Sequence, residues 1–372
     1  MTQLSLIDHH VHGVVSGEPD RQDIESMLTE ADGPGPPGTT TFDTQLGFAV
    51  RRWCAPLLDL EPHAPADAYV ARRLELGEAE VARRLLTAAQ VDGWLVDTGY
   101  QSDAVATPAA LAELSGTPAW EIARLESIAE RVADSGVRAH GFGDALTEAV
   151  QRAAAAAAGF KSIAAYRGGL SLDPERPQPA QVTAAAGRWL REREHSGPAR
   201  LHDQVLIRLG MWSALDTGRP LQLHTGYGDA DSRLHLADPS LLHDFLAASQ
   251  HAGAAVMLLH CYPYHRQAGA LANLFPHVYM DVGEALNHVG VRSAALLAEA
   301  LELTPFHKML YSSDAFGLPE LHYLGAAGFR RDIGAVTGAF VTSGDWSAAD
   351  ARRVSEMIGS GNARRVYGLA LA

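Results

Sequence analysis

A short apolar run, then a loop, then an alanine- and leucine-rich stretch recurs along most of the chain. Residues 4–10 (LSLIDHH) predict a first strand and residues 93–98 (GWLVDT) a second. Residues 120–125 (WEIARL) predict a third, running into a helix over 126–134. A helix over 144–158 leads to a fourth strand at 159–165 (GFKSIAA). Residues 220–224, 254–260, 277–282 and 308–312 complete eight. Strands that alternate with helices pair in parallel, and eight such units close into a barrel. The expected fold is therefore α/β, a (β/α)8 TIM barrel.

Two stretches break the rhythm. Residues 17–78 carry the breaker run GPGPPGTTT and then a mixed helical segment over 48–60. They are too long for a simple strand-to-helix loop and predict a cap insertion after strand one. Residues 170–200 hold DPERPQP and then an arginine- and glutamate-rich helix, a second insertion after strand four. The six alanines at 153–158 belong to a helix, and no internal repeat is visible. One barrel with these two insertions accounts for residues 1–372 as a single domain.

Composition narrows the function classes. A net charge of −14 argues against nucleic acid or an anionic membrane as partner, because both need a basic face. With only two cysteines, Cys54 and Cys261, a disulfide framework is excluded and a reducing cytoplasm is the expectation. The opening MTQLSLIDHH lacks the basic and apolar regions of a secretory leader. No apolar run is long enough to span a bilayer. Lysine occurs only at Lys161 and Lys308, against a background of arginine. A lysine kept against that bias can do what arginine cannot, namely lose its proton.

The chemistry gathers at strand ends. His10 and His12 close strand one, and side chains two apart on a strand share a face. Asp8 has the same parity, deeper in the barrel. The pair alone is weak, since the chain has 17 histidines. His224 closes strand five, His260 closes strand six, and Asp314 follows strand eight. Active sites of such barrels sit at the C-terminal ends of the strands. Neutral imidazoles with a carboxylate suit zinc, or Mn2+ or another divalent ion, in a site with open positions. Asp314 can serve as a ligand, as the base that takes a proton from a metal-activated water, or as both.

These segments resemble the amidohydrolase superfamily. IDHHVHG, LQLHTG, LLHCYP and SSDA are similar to its strand-end motifs. The blocks FKSIAAYRGGL, PLQLHTGYGDAD, HCYPYHRQAGALANLFPHVYMDVGE and LTPFHKMLYSSDA resemble its FluG-type, nodulin-like branch. The likeness covers strand one and residues 159–325, and is thin over 17–78. It implies that His10, His12, His224, His260 and Asp314 are metal and catalytic residues. It also places Lys161 on the strand where binuclear members carry a carbamylated lysine bridging two ions. The flanking block is not the usual binuclear one, so a carbamate and a charged ammonium both stay open, as do one ion or two. Members of the branch are associated with glutamine-synthetase-like ligases. That association implies a functional pairing of this kind and γ-glutamyl amides as substrates.

Second-rank candidates line the same rim. Arg167, after Tyr166, could fork onto a carboxylate. Tyr227 and Asp229 follow His224, Tyr264 and Arg266 follow His260, and Glu284 ends strand seven. Arg124 and Glu126 stand at the end of strand three. Each could instead be a structural ion pair or cap. Cys261 is expected to face away from His260 and is not taken as a nucleophile. The expected function is hydrolysis of an amide C–N bond by a metal-activated water. The alternative is metal-dependent decarboxylation of a small unsaturated or aromatic acid on the same scaffold. The expected partners are a small-molecule amide and further copies of the chain in a homo-oligomer, with no nucleic acid and no membrane.

Overall fold

The structure, a computed structural model, describes residues 3–101 and 103–370. Seven strands stand in one sheet in chain order. They are β1 Ile7–Val11, β2 Gly93–Asp97, β3 Ala119–Arg124, β4 Gly159–Ser162, β5 Leu221–Thr225, β6 Val256–His260 and β7 Val278–Met280. The recorded pairings are parallel, and helices separate successive strands. This is the expected (β/α)8 class, and both faces of its strands are buried, so the strands read as apolar runs.

By internal contacts the chain divides into two compact units, neither of them a continuous stretch. One comprises the residues up to Trp120, Gly228–Ala230 and the chain from Asp281 onward. The other comprises Glu121–Tyr227 and Asp231–Met280. The division runs through β3.

In the first unit β1 pairs with β2, Ile7 opposite Gly93 and Val11 opposite Val96. On the other side of β1 lies the predicted eighth strand, and here the expectation needs correction. Residues 306–308 form a 3-10 turn, and the chain after Met309 is extended without a regular ladder. Its backbone groups are met by other partners. Tyr311 N donates to Ile358 O (3.1 Å), Asn362 Nδ2 donates to Met309 O (2.7 Å), and Ser313 N donates to the Asp8 carboxylate (3.1 Å). Three bonds still tie the segment to β1: His9 N to Tyr311 O, Asp314 N to His10 O, and His12 N to Ala315 O. The eighth position is thus filled, by irregular chain.

The insertion at 17–78 holds short helices, including the stretch over 48–60 predicted to be helical, and its ends are clasped together. The Glu18 carboxylate accepts from Glu78 N (3.1 Å) at the start of helix Glu78–Ala89. Helix Ala66–Leu76 turns inward a buried charge group. Arg73 contacts Glu78 at 2.7 Å and Glu320 at 2.8 Å, and Tyr69 OH donates to Glu320 (2.8 Å). One guanidinium faces two carboxylates, all nearly inaccessible to water. The Arg73–Glu78 approach is close but lacks hydrogen-bond alignment, and both Glu78 oxygens remain without an aligned donor. Burial therefore outweighs the neighbouring cation and pushes the Glu78 carboxyl up to about 7, with Glu320 and Glu18 adding to the rise.

In the second unit β3 to β7 run in register: Arg124 beside Lys161, Lys161 beside Gln222, Leu223 beside Leu258, and Met257 beside Tyr279. β4 is shorter than expected, because residues 164–167 turn into a short helix. The second insertion forms a loop and then the helix Pro179–Ser196. Its apolar side packs Trp189 against Phe142, the first residue of helix Phe142–Ala153.

The raised Glu78 carboxyl has a consequence for stability. Between the ordinary glutamate range, near 4.5, and about 7, the folded chain binds a proton that the unfolded chain does not. Stability should therefore fall as pH rises through that window, by at most about 1.4 kcal/mol per pH unit from this group. Glu78→Gln should flatten the slope in denaturant titrations at pH 4.5 to 7.5. An unchanged slope would show that Glu78 does not carry it.

Candidate functional site

In the first unit the strand end of β1 delivers two imidazoles to one carboxylate. His10 Nε2 lies 2.9 Å and His12 Nε2 3.4 Å from the same Asp314 Oδ1. His10 is fully buried and His12 nearly so, while the Asp314 side chain is 14% exposed. His12 Nδ1 faces the carbonyl of Asp97 at the end of β2 (3.2 Å). That contact takes the Nδ1 proton and turns Nε2, with its lone pair, toward Asp314. The three ligand atoms lie within 4.8 Å of one another. Two neutral imidazole nitrogens and a carboxylate oxygen on one point are a donor set that fits a divalent metal ion.

The surrounding residues fix this group. Asp8 accepts from Ser313 Oγ (2.6 Å), Ser313 N (3.1 Å) and His10 N (3.3 Å). Burial still dominates and pushes its carboxyl up to about 8. His9, immediately before His10, faces the other way. Its Nε2 meets Asp281 (2.9 Å) and its Nδ1 meets Tyr367 OH (3.1 Å), with both partners buried. Asp314 has left-handed backbone (φ 51°), a conformation that costs a non-glycine residue about 1 kcal/mol or more. Glu284 is buried in helix Gly283–His288, where its carboxylate gathers with Glu30 and His288.

In the second unit Lys161 is buried on β4, as placed from sequence, on the face shared by Gln222 and His224. Arg124 stands in the same row. Tyr166 OH approaches His224 Nδ1 (3.4 Å), and the rings of His224 and His260 are 4.6 Å apart. Register alone would not bring these two histidines together, because His224 pairs with Leu259 and His260 with Thr225. The left-handed backbone at His260 (φ 67°) breaks the alternation at the strand end. Gly226 (φ 78°) lets the loop after β5 approach; a Cβ there would strike the Tyr262 carbonyl. Cys261 Sγ is within 3.4 Å of Thr225 Oγ1 and 3.3 Å of the Leu258 carbonyl, fully buried, as its exclusion from the chemistry anticipates.

The rim candidates separate. Glu126 is structural: its Oε1 accepts from Ser162 Oγ (2.7 Å) and Ile163 N (3.1 Å), capping the end of β4 beside Lys161. Arg167 is half-buried, and its buried Nε has no hydrogen-bond partner among the described residues. Desolvation lowers its pKa, with nearby Glu126 opposing. Tyr227 donates its backbone N–H to Tyr262 O (2.6 Å), and Tyr264 caps helix His265–Leu274, on which Arg266 is exposed. Asp229 is partly exposed in its loop within the first unit. The sequence reading missed Asp97, His9, Asp281 and His322. Polar residues inside or closing otherwise apolar strands are the signal that could have found the first three.

A family model described as amidohydrolase matches residues 119–369. Over 227 residues the chain is 34% identical to protein fluG of Emericella nidulans. The match covers 58% of this chain and 26% of that protein, so the chain spans about a quarter of that relative. A crystal structure from Lactobacillus casei, provisionally described as a metal-dependent hydrolase, is 31% identical with a TM-score of 0.87. That match covers 98% of this chain and 96% of the other. A uronate isomerase from Thermotoga maritima shares the fold alone, at 14% identity and a TM-score of 0.63, over 98% of this chain and 94% of its own. Among the described residues no helix is long and apolar enough to cross a membrane.

The His10–His12–Asp314 group makes a direct expectation. Purified protein should carry stoichiometric divalent metal by elemental analysis, and the double variant His10→Ala, His12→Ala should lose most of it. Unchanged metal content in a folded double variant would sink the assignment.

Proposed function

The chain belongs to the amidohydrolase family, and on that footing we propose that it hydrolyses the amide bond of a γ-glutamyl amide at a zinc centre. The family match and the Lactobacillus casei relative support a metal-dependent hydrolase of this family. The observation that carries the reaction class is the convergence of His10 Nε2 and His12 Nε2 on Asp314 Oδ1. His224, His260 and Lys161 are assigned to the same centre by the family resemblance.

When bound, the divalent ion would polarise the substrate carbonyl and acidify a water. His10 and His12 act as neutral nitrogen donors, and the Asp97 carbonyl keeps His12 in the tautomer that presents Nε2. Asp314 takes the proton of the attacking water on a carboxylate oxygen. It then delivers that proton to the nitrogen of the leaving amine. The acyl half of a γ-glutamyl amide bears a free α-carboxylate, and Arg167 is the group proposed to hold it. Its Nε is buried without a partner among the described residues, which favours an anionic ligand over leaving that donor desolvated. A glutamine-synthetase-like ligase that makes such amides is the proposed functional partner, and a homo-oligomer the proposed assembly.

A panel of γ-glutamyl amides, simple amides and unsaturated or aromatic acids tests the substrate class by amine and CO2 release. Release of amine from γ-glutamyl amides supports the proposal. Release of CO2 from the acids alone would replace it with metal-dependent decarboxylation. On the best amide, Asp314→Asn should keep much of the metal yet lower kcat by about 100-fold or more. Full activity in that variant would remove Asp314 as the base. Arg167→Gln should raise KM by roughly tenfold or more, the worth of a hydrogen bond to a charged group. An unchanged KM would exclude Arg167 from the carboxylate subsite.

A further inference from the structure

His12 is held at three points, and one of them comes from a helix. Its amide donates to Ala315 O (2.8 Å) and its Nδ1 meets Asp97 O (3.2 Å). Its carbonyl oxygen lies 3.0 Å from Nε2 of His322, a residue 310 positions further along the chain. β1 ends at Val11, so this carbonyl lies past the last residue of the strand. A buried carbonyl in that position needs a donor.

His322 is fully buried in the first turn of helix Pro319–Thr342, which follows Asp314 closely in the chain. Its ring packs edge-on against Trp94 of β2, with centroids 5.7 Å apart. The second ring nitrogen, Nδ1, lies 3.1 Å from the Leu318 carbonyl, which already accepts from Leu321 N. A neutral ring has one N–H for these two carbonyls, and because Leu318 O already has a donor, the N–H is assigned to Nε2, facing His12 O. A polar ring in an apolar position is costly unless its hydrogen bonds are made. At 322 that bond fixes the peptide carrying a proposed metal ligand.

We infer that His322 is a positioning residue for the metal-binding pair: its Nε2–H anchors the His12 carbonyl and thereby sets where the His12 imidazole points. This rests on the metal-centre reading above. Loss of the anchor lets the peptide after His12 rotate while the ligands themselves stay present. Removing the outer partners of metal ligands typically weakens metal binding 10- to 100-fold.

Two polar variants separate positioning from packing. In His322→Gln the side-chain amide nitrogen reaches the place of Nε2. In His322→Asn the amide is one methylene shorter, stays near Leu318 and falls short of His12. The measurement is Zn2+ affinity of metal-stripped protein against a chromophoric chelator, with thermal unfolding of the stripped forms alongside. The expected result is at least about tenfold weaker Zn2+ binding for His322→Asn. His322→Gln should recover most of that loss, with similar melting temperatures for the two variants. Wild-type affinity in His322→Asn, or equal weakness in both variants, would overturn the inference. His12→Ala, run in parallel, distinguishes the two failures. If His12→Ala also binds Zn2+ like the wild type, the metal-centre reading falls and this inference with it. If only His12→Ala is weak, this inference falls alone.

Discussion

The end of β1 must present two imidazoles to one carboxylate inside a buried environment, and it can do so only if its backbone cannot slip. A one-residue shift would turn both rings to the opposite face. The strand is therefore held on both flanks, by β2 through parallel pairing whose register shifts between Asp8 and Val11, and by residues 311–315 through three separate backbone bonds. The second flank is irregular, and side chains supply what a ladder would have supplied. Asp8 caps Ser313, and Asn362 caps Met309. The Asp314 backbone is then free to adopt the left-handed turn that aims its carboxylate at His10 and His12.

The same unit tolerates an unusual load of buried ionisable groups. Asp8, Arg73, Glu78, Glu320 and Asp281 are all nearly inaccessible to water. Desolvation is the dominant effect on Asp8 and Glu78, and it wins even where a cation or several donors oppose it. Such groups add little net stability, but deleting one partner leaves another charge buried without compensation. They act as constraints on arrangement. Glu320 joins the helix after Asp314 to the insertion helix Ala66–Leu76. His322, two residues on, joins the same helix to His12. The chain between Asp314 and His322 is thus fixed at both ends and on both sides.

In the second unit, strain serves a similar purpose at His260. A strict alternation of side chains would separate it from His224, and a left-handed residue brings their rings to 4.6 Å. Left-handed backbone occurs at two of the five strand-end candidates, His260 and Asp314, and costs each of them conformational energy.

The apolar runs alone pointed to the α/β class and the order of the strands, because strands buried on both faces read as short continuous apolar runs between helical stretches. Strand ends also marked His10, His12, His224, His260 and Asp314 as candidates, since polar residues closing apolar runs are costly without a role. Lys161 stood out for other reasons, the scarcity of lysine in the chain and the family resemblance, and the structure buries it on β4. What the sequence left open depended on contacts between distant segments. The eighth position as irregular chain follows from Asp8, Ile358 and Asn362 capturing its backbone groups. The sorting of Glu126 into a brace for β4 and Arg167 into a candidate anion donor follows from which neighbours each side chain meets. His322 sits in a helix whose pattern shows no signal for it. Only tertiary structure, by laying that helix against the end of β1, gives its ring a carbonyl to hold.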